Sequence, residues 1–138
     1  MSTIHLNIIT AERIVLSEDV DIVVAPGTMG ELGILPRHAP LLTGLVPGEL
    51  RYRKGKEEVG MCITGGFMEV LPRRVTILAD AAERAEEIDV ARAEAARQRA
   101  EARMADRSAV TDSEQTRAAL MRATVRLKVA RKRRPITG

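Results

Sequence analysis

The sequence predicts an antiparallel β-sandwich followed by an antiparallel two-helix hairpin, and three observations lead there. Up to about residue 81, short β-branched runs alternate apolar and polar residues between Gly and Pro punctuation. Beyond it, Ala, Arg and Glu recur at helical spacing. Two helix-start signals, Asp89 and Thr111-Asp112-Ser113-Glu114, then divide the second part into two segments with a short connector. Period 2 suits a sheet and period 3.6 suits helices, so each part needs its own packing solution. The boundary is placed between a docking domain, 1–84, and a helical domain, 85–138.

The elements follow in order. Thr3 to Thr10 sets Ile4, Leu6 and Ile8 against His5, Asn7 and Ile9, and Arg13 to Leu16 and Val20 to Ala25 are β-rich; these read as strands. Pro26-Gly27-Thr28-Met29-Gly30 is a turn, and Glu31 to Leu41 is a short strand broken by Pro36 and Pro40, each holding the residue before it extended. Gly48 to Arg53 and Glu57 to Thr64 flank Lys54-Gly55-Lys56, a tight hairpin. Gly65-Gly66 opens Phe67 to Leu71, and Pro72-Arg73-Arg74 leads into Val75 to Ala79. Eight to ten short strands in some 80 residues match the spacing of sandwiches and barrels.

Asp89 is the expected N-cap of a helix from Val90 to about Asp106, its carboxylate accepting from first-turn amides. After Arg107 to Val110, Thr111 and Glu114 have capping-box spacing and start a helix that runs to about Arg133, before Pro135. So short a connector folds the helices back on each other. The expected seam sets Ala91, Ala95, Ala102 and Met104 against Leu120, Ala123, Leu127 and Ala130. Alanines bury little area at about 25 cal/mol per Å², so the pairing is marginal and the hairpin can open.

Composition narrows the function. The net charge of +3 is regional: residues 1–79 carry eight Lys/Arg against nine Asp/Glu, and residues 80–138 carry fourteen against ten. From Gln115 onward there are eight cations and no acid, which points to an anionic partner surface on the second helix. Tyr52 and Phe67 are the only aromatics, so stacking platforms for bases are missing. Cys62, the sole cysteine, lies in an apolar strand pattern and reads as core. His5 and His38 lack clustered partners, which argues against a metal. No nucleophile sits in a recognisable elbow and no Gly-rich phosphate loop occurs, so no catalytic residue is expected. The first residues alternate and do not form a charged head with an apolar run, and no apolar stretch approaches the roughly 20 residues that cross a bilayer.

Three segments together, Gly30-Glu31-Leu32-Gly33-Ile34-Leu35-Pro36-Arg37-His38-Ala39-Pro40-Leu41, Ile63-Thr64-Gly65-Gly66-Phe67-Met68-Glu69-Val70 and Ile88-Asp89-Val90-Ala91-Arg92-Ala93, resemble the bacterial-type epsilon subunits of F-type ATP synthases. The resemblance covers almost the whole chain. It implies a non-catalytic rotor subunit whose sandwich docks on the gamma subunit and the c-ring. The hairpin would lie folded, or extend along gamma into the catalytic head and restrain ATP hydrolysis, its basic helix meeting the catalytic beta subunits. It further implies a peripheral place on the cytoplasmic side of the cell membrane, with contact to the membrane only through the complex, and no nucleic-acid partner. No cofactor is required, but some bacterial members bind one ATP through an Ile-Asp-x-x-Arg-Ala motif and further arginines. The matching positions here are Glu83, Ile88, Asp89, Arg92, Arg99, Arg122 and Arg126.

The spacing of that set can be tested by itself. Asp89, Arg92, Ala96, Arg99 and Arg103 share one helical stripe. A turn centred near 109–110 sets Arg122 opposite Arg97 and Arg126 opposite Ala93, facing the gap between Arg92 and Arg99, two residues about 10 Å apart along the helix. Four converging guanidinium groups repel unless an anion lies between them, and their forked donors suit phosphate oxygens. Exposed helix faces also collect arginines without a ligand, and twelve of the last 59 residues are arginine.

Other residues bear on partners. His38 belongs to a proline-bounded loop, where it orders backbone or meets a subunit; Met29 and Leu41-Leu42 are apolar residues near turns, either core or docking patch. Lys128, Arg131, Lys132 and Arg133 are the cations expected to meet an acidic partner; for the basic end Arg131 to Pro135 a solvated, frayed end ranks first, an acidic partner next, then anionic phospholipid, and nucleic acid last. The reading from another class is a free-standing anion- or nucleic-acid-binding module with a basic helical arm.

Overall fold

A computed structural model describes residues 2–106 and 113–132. The chain divides into two compact units between Glu83 and Arg84.

In the first unit the alternation of Ile4, Leu6 and Ile8 becomes strand β1 (Ile4–Ile9), with those three side chains buried. Next come β2 (Ile14–Val20), β3 (Ile22–Gly27), β4 (Gly30–Ile34), β5 (Leu41–Lys54), β6 (Glu57–Leu71), β7 (Arg74–Ala79) and β8 (Ala82–Arg84). The first seven pair in the order β2-β1-β7-β6-β5-β3-β4, and β8 pairs β6. Inward residues of both halves meet in one core, with Ile4, Leu6, Leu50, Met61, Ile63 and Met68 fully buried. Each such side chain is worth about 1.5–3 kcal/mol of burial. Tyr52 is the one aromatic in this otherwise aliphatic core. Cys62 is buried as well.

Two features depart from the expected pattern of short antiparallel strands. β5 and β6 are single strands of 14 and 15 residues, paired from Leu41↔Val70 to Lys54↔Glu57. The glycines and Pro47 bend these strands without ending them. At Gly48 a Cβ would lie 2.6 Å from the Pro26 ring, where the β3–β5 register shifts; only glycine lets the two strands cross so closely. The second departure is β1, which runs parallel to β7, with Leu6 against Val75 and Ile8 against Ile77. The hairpin at Gly55 forms as expected, with φ of 64° at the glycine. On the outer face of β1 and β2, the His5 ring stands 2.7 Å from Asp19 and 2.9 Å from Ser17, whose hydroxyl donates to Asn7.

The second unit begins with a single 3-10 turn, Ala85–Glu87, and continues as α1 (Val90–Ala105) and α2 (Ser113–Lys132). Asp89 caps α1: its Oδ1 accepts from the Arg92 amide at 3.1 Å. The connector Arg107 to Val110, the Thr111 half of the capping box, and Arg133 to Pro135 lie outside the described residues. The helices pack as neighbours.

Their seam corrects the expectation on one side. On α2, Ala123 and Leu127 are buried, together with Thr116 and Val129, while Leu120 and Ala130 are half-buried. On α1 the buried positions are Ala93 and Ala100, whereas Ala91, Ala102 and Met104 are exposed and Ala95 is half-buried. The reason is compositional. Alanine occupies so many positions around α1 that its periodicity selects no face, and the charged residues decide which side turns inward.

Candidate functional site

The hairpin has two flanks of different chemistry. At about 100° per residue, Glu94, Arg97 and Glu101 fall to one side of the Ala93–Ala100 line, and Arg92, Arg99 and Arg103 to the other. On α2, Thr124, Lys128 and Arg131 fall to one side of Ala123–Leu127, and Arg122 and Arg126 to the other. Contacts show which flanks meet. Arg131 reaches Glu94 at 3.7 Å, and Arg97 and Glu101 line one recess with Thr124, Leu127 and Lys128. Arg97 therefore lies on the same flank as Thr124, Lys128 and Arg131, and the expectation that it lies opposite Arg122 is corrected: the inward turn of Ala93 and Ala100 carries Arg97 toward that flank of α2, while Arg122 turns to the other.

Antiparallel neighbours that share one flank share the other. Arg92 and Arg99 of α1 thus lie on the same side of the hairpin as Arg122 and Arg126 of α2. Arg92 and Arg99 are exposed; Arg122 and Arg126 are half-buried. Both acids of α1, Glu94 and Glu101, are on the opposite flank, so α1 contributes only cations to this side. Like charges gathered in this way favour a bound anion between them.

The contrast with the mixed flank is direct. Arg97 hydrogen-bonds Glu94 and, at 3.3 Å, Glu101. The hydrogen bond and charge of Glu94, then the charge of Glu101, raise the Arg97 pKa further above its ordinary value.

The remaining residues of the predicted nucleotide set fall as follows. Ile88 is buried, and Asp89 is exposed with one oxygen engaged by the α1 cap. Glu83 is a half-buried residue of β8, in the first unit. Among the described residues there is no group of three or more His, Cys, Asp or Glu suited to hold a metal ion.

On the sandwich, strand alternation separates the leucine pair. Leu41 is half-buried against the core, in line with the core alternative of its two readings, and Leu42 is 72% exposed. Leu42 belongs to an outward apolar row that the sequence reading missed. Phe67, 61% exposed, stands opposite Leu78, 54% exposed, and opposite Gly44, two residues along β5 from Leu42. The signal was present: with Met68 and Val70 inward, period 2 turns Phe67 outward. Met29, 96% exposed, occupies the β3–β4 turn next to Thr28, whose amide donates to the Gly44 carbonyl. His38 donates from Nδ1 to the Ala39 carbonyl at 2.7 Å, which fixes its ring and leaves Nε2 for other contacts. The preceding Arg37 has φ of 68°, a left-handed conformation held by its amide's bond to the Pro72 carbonyl.

A β-sandwich with an outward apolar row, followed by a two-helix hairpin with one cationic flank, is a two-part architecture with a candidate docking face and a candidate anion-binding face. Family comparison places it. Residues 3–85 match the family model "ATP synthase, Delta/Epsilon chain, beta-sandwich domain", and residues 86–131 match "ATP synthase, Delta/Epsilon chain, long alpha-helix domain". The chain belongs to the epsilon-chain family of ATP synthases, whose members are non-catalytic subunits of that complex.

Similar relatives are the ATP synthase epsilon chains of Herpetosiphon aurantiacus, 61% identical over 95% of this chain and 96% of that one, and of Dehalococcoides mccartyi, 58% identical over 97% and 96%. Among solved structures, a chain of the Euglena gracilis mitochondrial ATP synthase superposes with a TM-score of 0.69 at 25% identity, over 95% of this chain and 79% of that one. A chain of the Tetrahymena thermophila mitochondrial ATP synthase central stalk and c-ring shares the fold, with a TM-score of 0.64 at 15% identity over 94% and 97%. Among the described residues no helix is long and apolar enough to cross a membrane.

Proposed function

We propose that this chain couples and regulates a rotary ATP synthase, docking through its sandwich and switching through its hairpin. The sandwich binds the gamma subunit and the c-ring, using Leu42, Phe67, Leu78 and Met29 as apolar contacts with His38 beside a fixed loop. An exposed apolar row on an otherwise polar sheet face suits such a permanent neighbour. The complex lies at the cytoplasmic face of the cell membrane, and this chain meets the membrane only through its partners.

The hairpin has two states in this reading. Folded, it holds ATP as a regulatory ligand between Arg92, Arg99, Arg122 and Arg126, with Ile88, Asp89 and Glu83 completing the set. Open, it extends toward the catalytic beta subunits, where Lys128, Arg131, Lys132 and Arg133 meet acidic groups and restrain ATP hydrolysis. Arg133 lies outside the described residues. One observation carries the reading: the cationic flank takes arginines from both helices and no acid from α1. An anion there bridges the helices, so occupancy stabilises the folded hairpin by linkage.

Isothermal titration calorimetry of the isolated chain tests this. Wild type is expected to bind one ATP. Arg92→Ala and Arg126→Ala should each weaken binding at least tenfold, the loss of a charge-assisted contact of about 1.5–3 kcal/mol. Absence of heat at millimolar ATP in the wild type would remove the nucleotide site and leave the family membership untouched.

A further inference from the structure

The mixed flank of the hairpin contains a recess of about 650 Å³, lined by Arg97 and Glu101 from α1 and by Thr124, Leu127, Lys128, Arg131 and Lys132 from α2. Its volume is that of a small-molecule site. Four of its seven lining residues are cations and one is an acid, and Leu127 supplies a buried apolar wall. Arg97 is held in place from both sides by Glu94 and Glu101, so its guanidinium is already oriented before any ligand arrives. Its Nε, shielded from solvent, has no acceptor among the described residues. Lys128 has no carboxylate partner among the described residues either.

We infer that this recess is a second anion site of the hairpin, distinct from the Arg92/Arg99/Arg122/Arg126 flank, and that it takes a small phosphate-bearing anion such as a polyphosphate or an organic phosphate. Phosphate chemistry fits because Lys128, Arg131 and Lys132 bring charged donors to one recess, beside an Arg97 guanidinium whose Nη1 and Nη2 are held by Glu101 and Glu94. A small ligand fits because the lining comes from both helices, so the recess exists only while they lie side by side. An extended acidic segment needs no such pairing of the helices. Glu101 sets the selectivity: it tethers Arg97 and also repels an incoming anion, so a multiply charged ligand is favoured over a singly charged one. Binding here stabilises the folded hairpin from the side opposite the nucleotide set.

The probe is inorganic tripolyphosphate, titrated into the isolated chain and followed by backbone amide NMR. Amides of Arg97, Glu101, Thr124, Lys128 and Arg131 are expected to shift together and saturably. The double variant Lys128→Ala/Arg131→Ala should weaken this binding at least tenfold, whereas Arg92→Ala/Arg126→Ala should leave it within twofold. Glu101→Gln should tighten it severalfold, an opposite sign that loss of structure does not produce. Vesicles carrying anionic phospholipid form a separate arm, in which protection of the same amides would identify a lipid headgroup as the source of the phosphate. The inference is overturned if tripolyphosphate moves only the Arg92, Arg99, Arg122 and Arg126 amides. It is overturned equally if the shifts are insensitive to Lys128→Ala/Arg131→Ala, or if millimolar tripolyphosphate causes none.

Discussion

Gly66→Ala is expected to destabilise the sandwich by about 3–5 kcal/mol, the largest effect of any single methyl group in this chain. Gly66 has φ of 135°, a conformation that side chains rarely adopt, and an added Cβ would stand 2.1 Å from the Leu78 carbonyl oxygen. That neighbour is backbone of β7, paired to β6 through Gly66↔Ala79 and Phe67↔Leu78, so it cannot step aside without breaking the ladder. Gly65, with φ of 118°, adjoins it, and together they let one 15-residue strand bend and still pair on both sides. For a domain of this size the loss corresponds to a fall in Tm of roughly 15–30 °C. Thermal unfolding by circular dichroism, read on the β signal, measures it. A fall of less than 5 °C would mean that the strands rearrange at little cost and that this bend is not a fixed part of the fold.

The second large effect is on assembly. Phe67→Glu is expected to abolish co-purification with the gamma subunit while leaving Tm within a few degrees. Phe67 is 61% exposed, so its replacement costs little core packing, yet it stands between Gly44 and Leu78 in the centre of the outward apolar row. Burying an unpaired carboxylate in such an interface costs several kcal/mol, enough to reduce affinity more than a hundredfold. Leu78→Glu should act in the same direction, and Met68→Glu should instead unfold the sandwich, because Met68 is fully inward. Retention of stoichiometric gamma by a folded Phe67→Glu chain would move the docking surface elsewhere on the sandwich.

Much of this architecture is local and was legible in the residues. The alternation of Ile4, Leu6 and Ile8 specifies which face of β1 is buried, Gly55 marks the hairpin turn, and Asp89 marks the start of α1, because each depends on a few neighbouring residues. The parallel pairing of β1 with β7 was not legible, since Ile8 and Ile77 are far apart in the chain and alternation carries no direction. The continuity of β5 and β6 was hidden by Pro47 and Gly65-Gly66, which read as breaks and act as bends.

The candidate site divides in the same manner. The sharing of one stripe by Arg92 and Arg99 follows from spacing within a helix. Which way Arg97 turns does not, because seven of the sixteen residues of α1 are alanine and only contact with α2 distinguishes one alanine face from another. The recess around Arg97 was invisible for that reason. The apolar row was missed on a different ground: Phe67 and Leu78 lie on separate strands, and only the β6–β7 register brings them together.

The central claim is that ATP on the arginine flank closes the hairpin. Amide hydrogen exchange of the isolated chain, with and without saturating ATP, tests it most directly. ATP should slow exchange in α1 and α2 at least tenfold and leave β1 to β7 unchanged, and this protection should survive Lys128→Ala/Arg131→Ala but vanish in Arg92→Ala/Arg126→Ala. Equal exchange of the two helices with and without ATP in the wild-type chain would contradict the account.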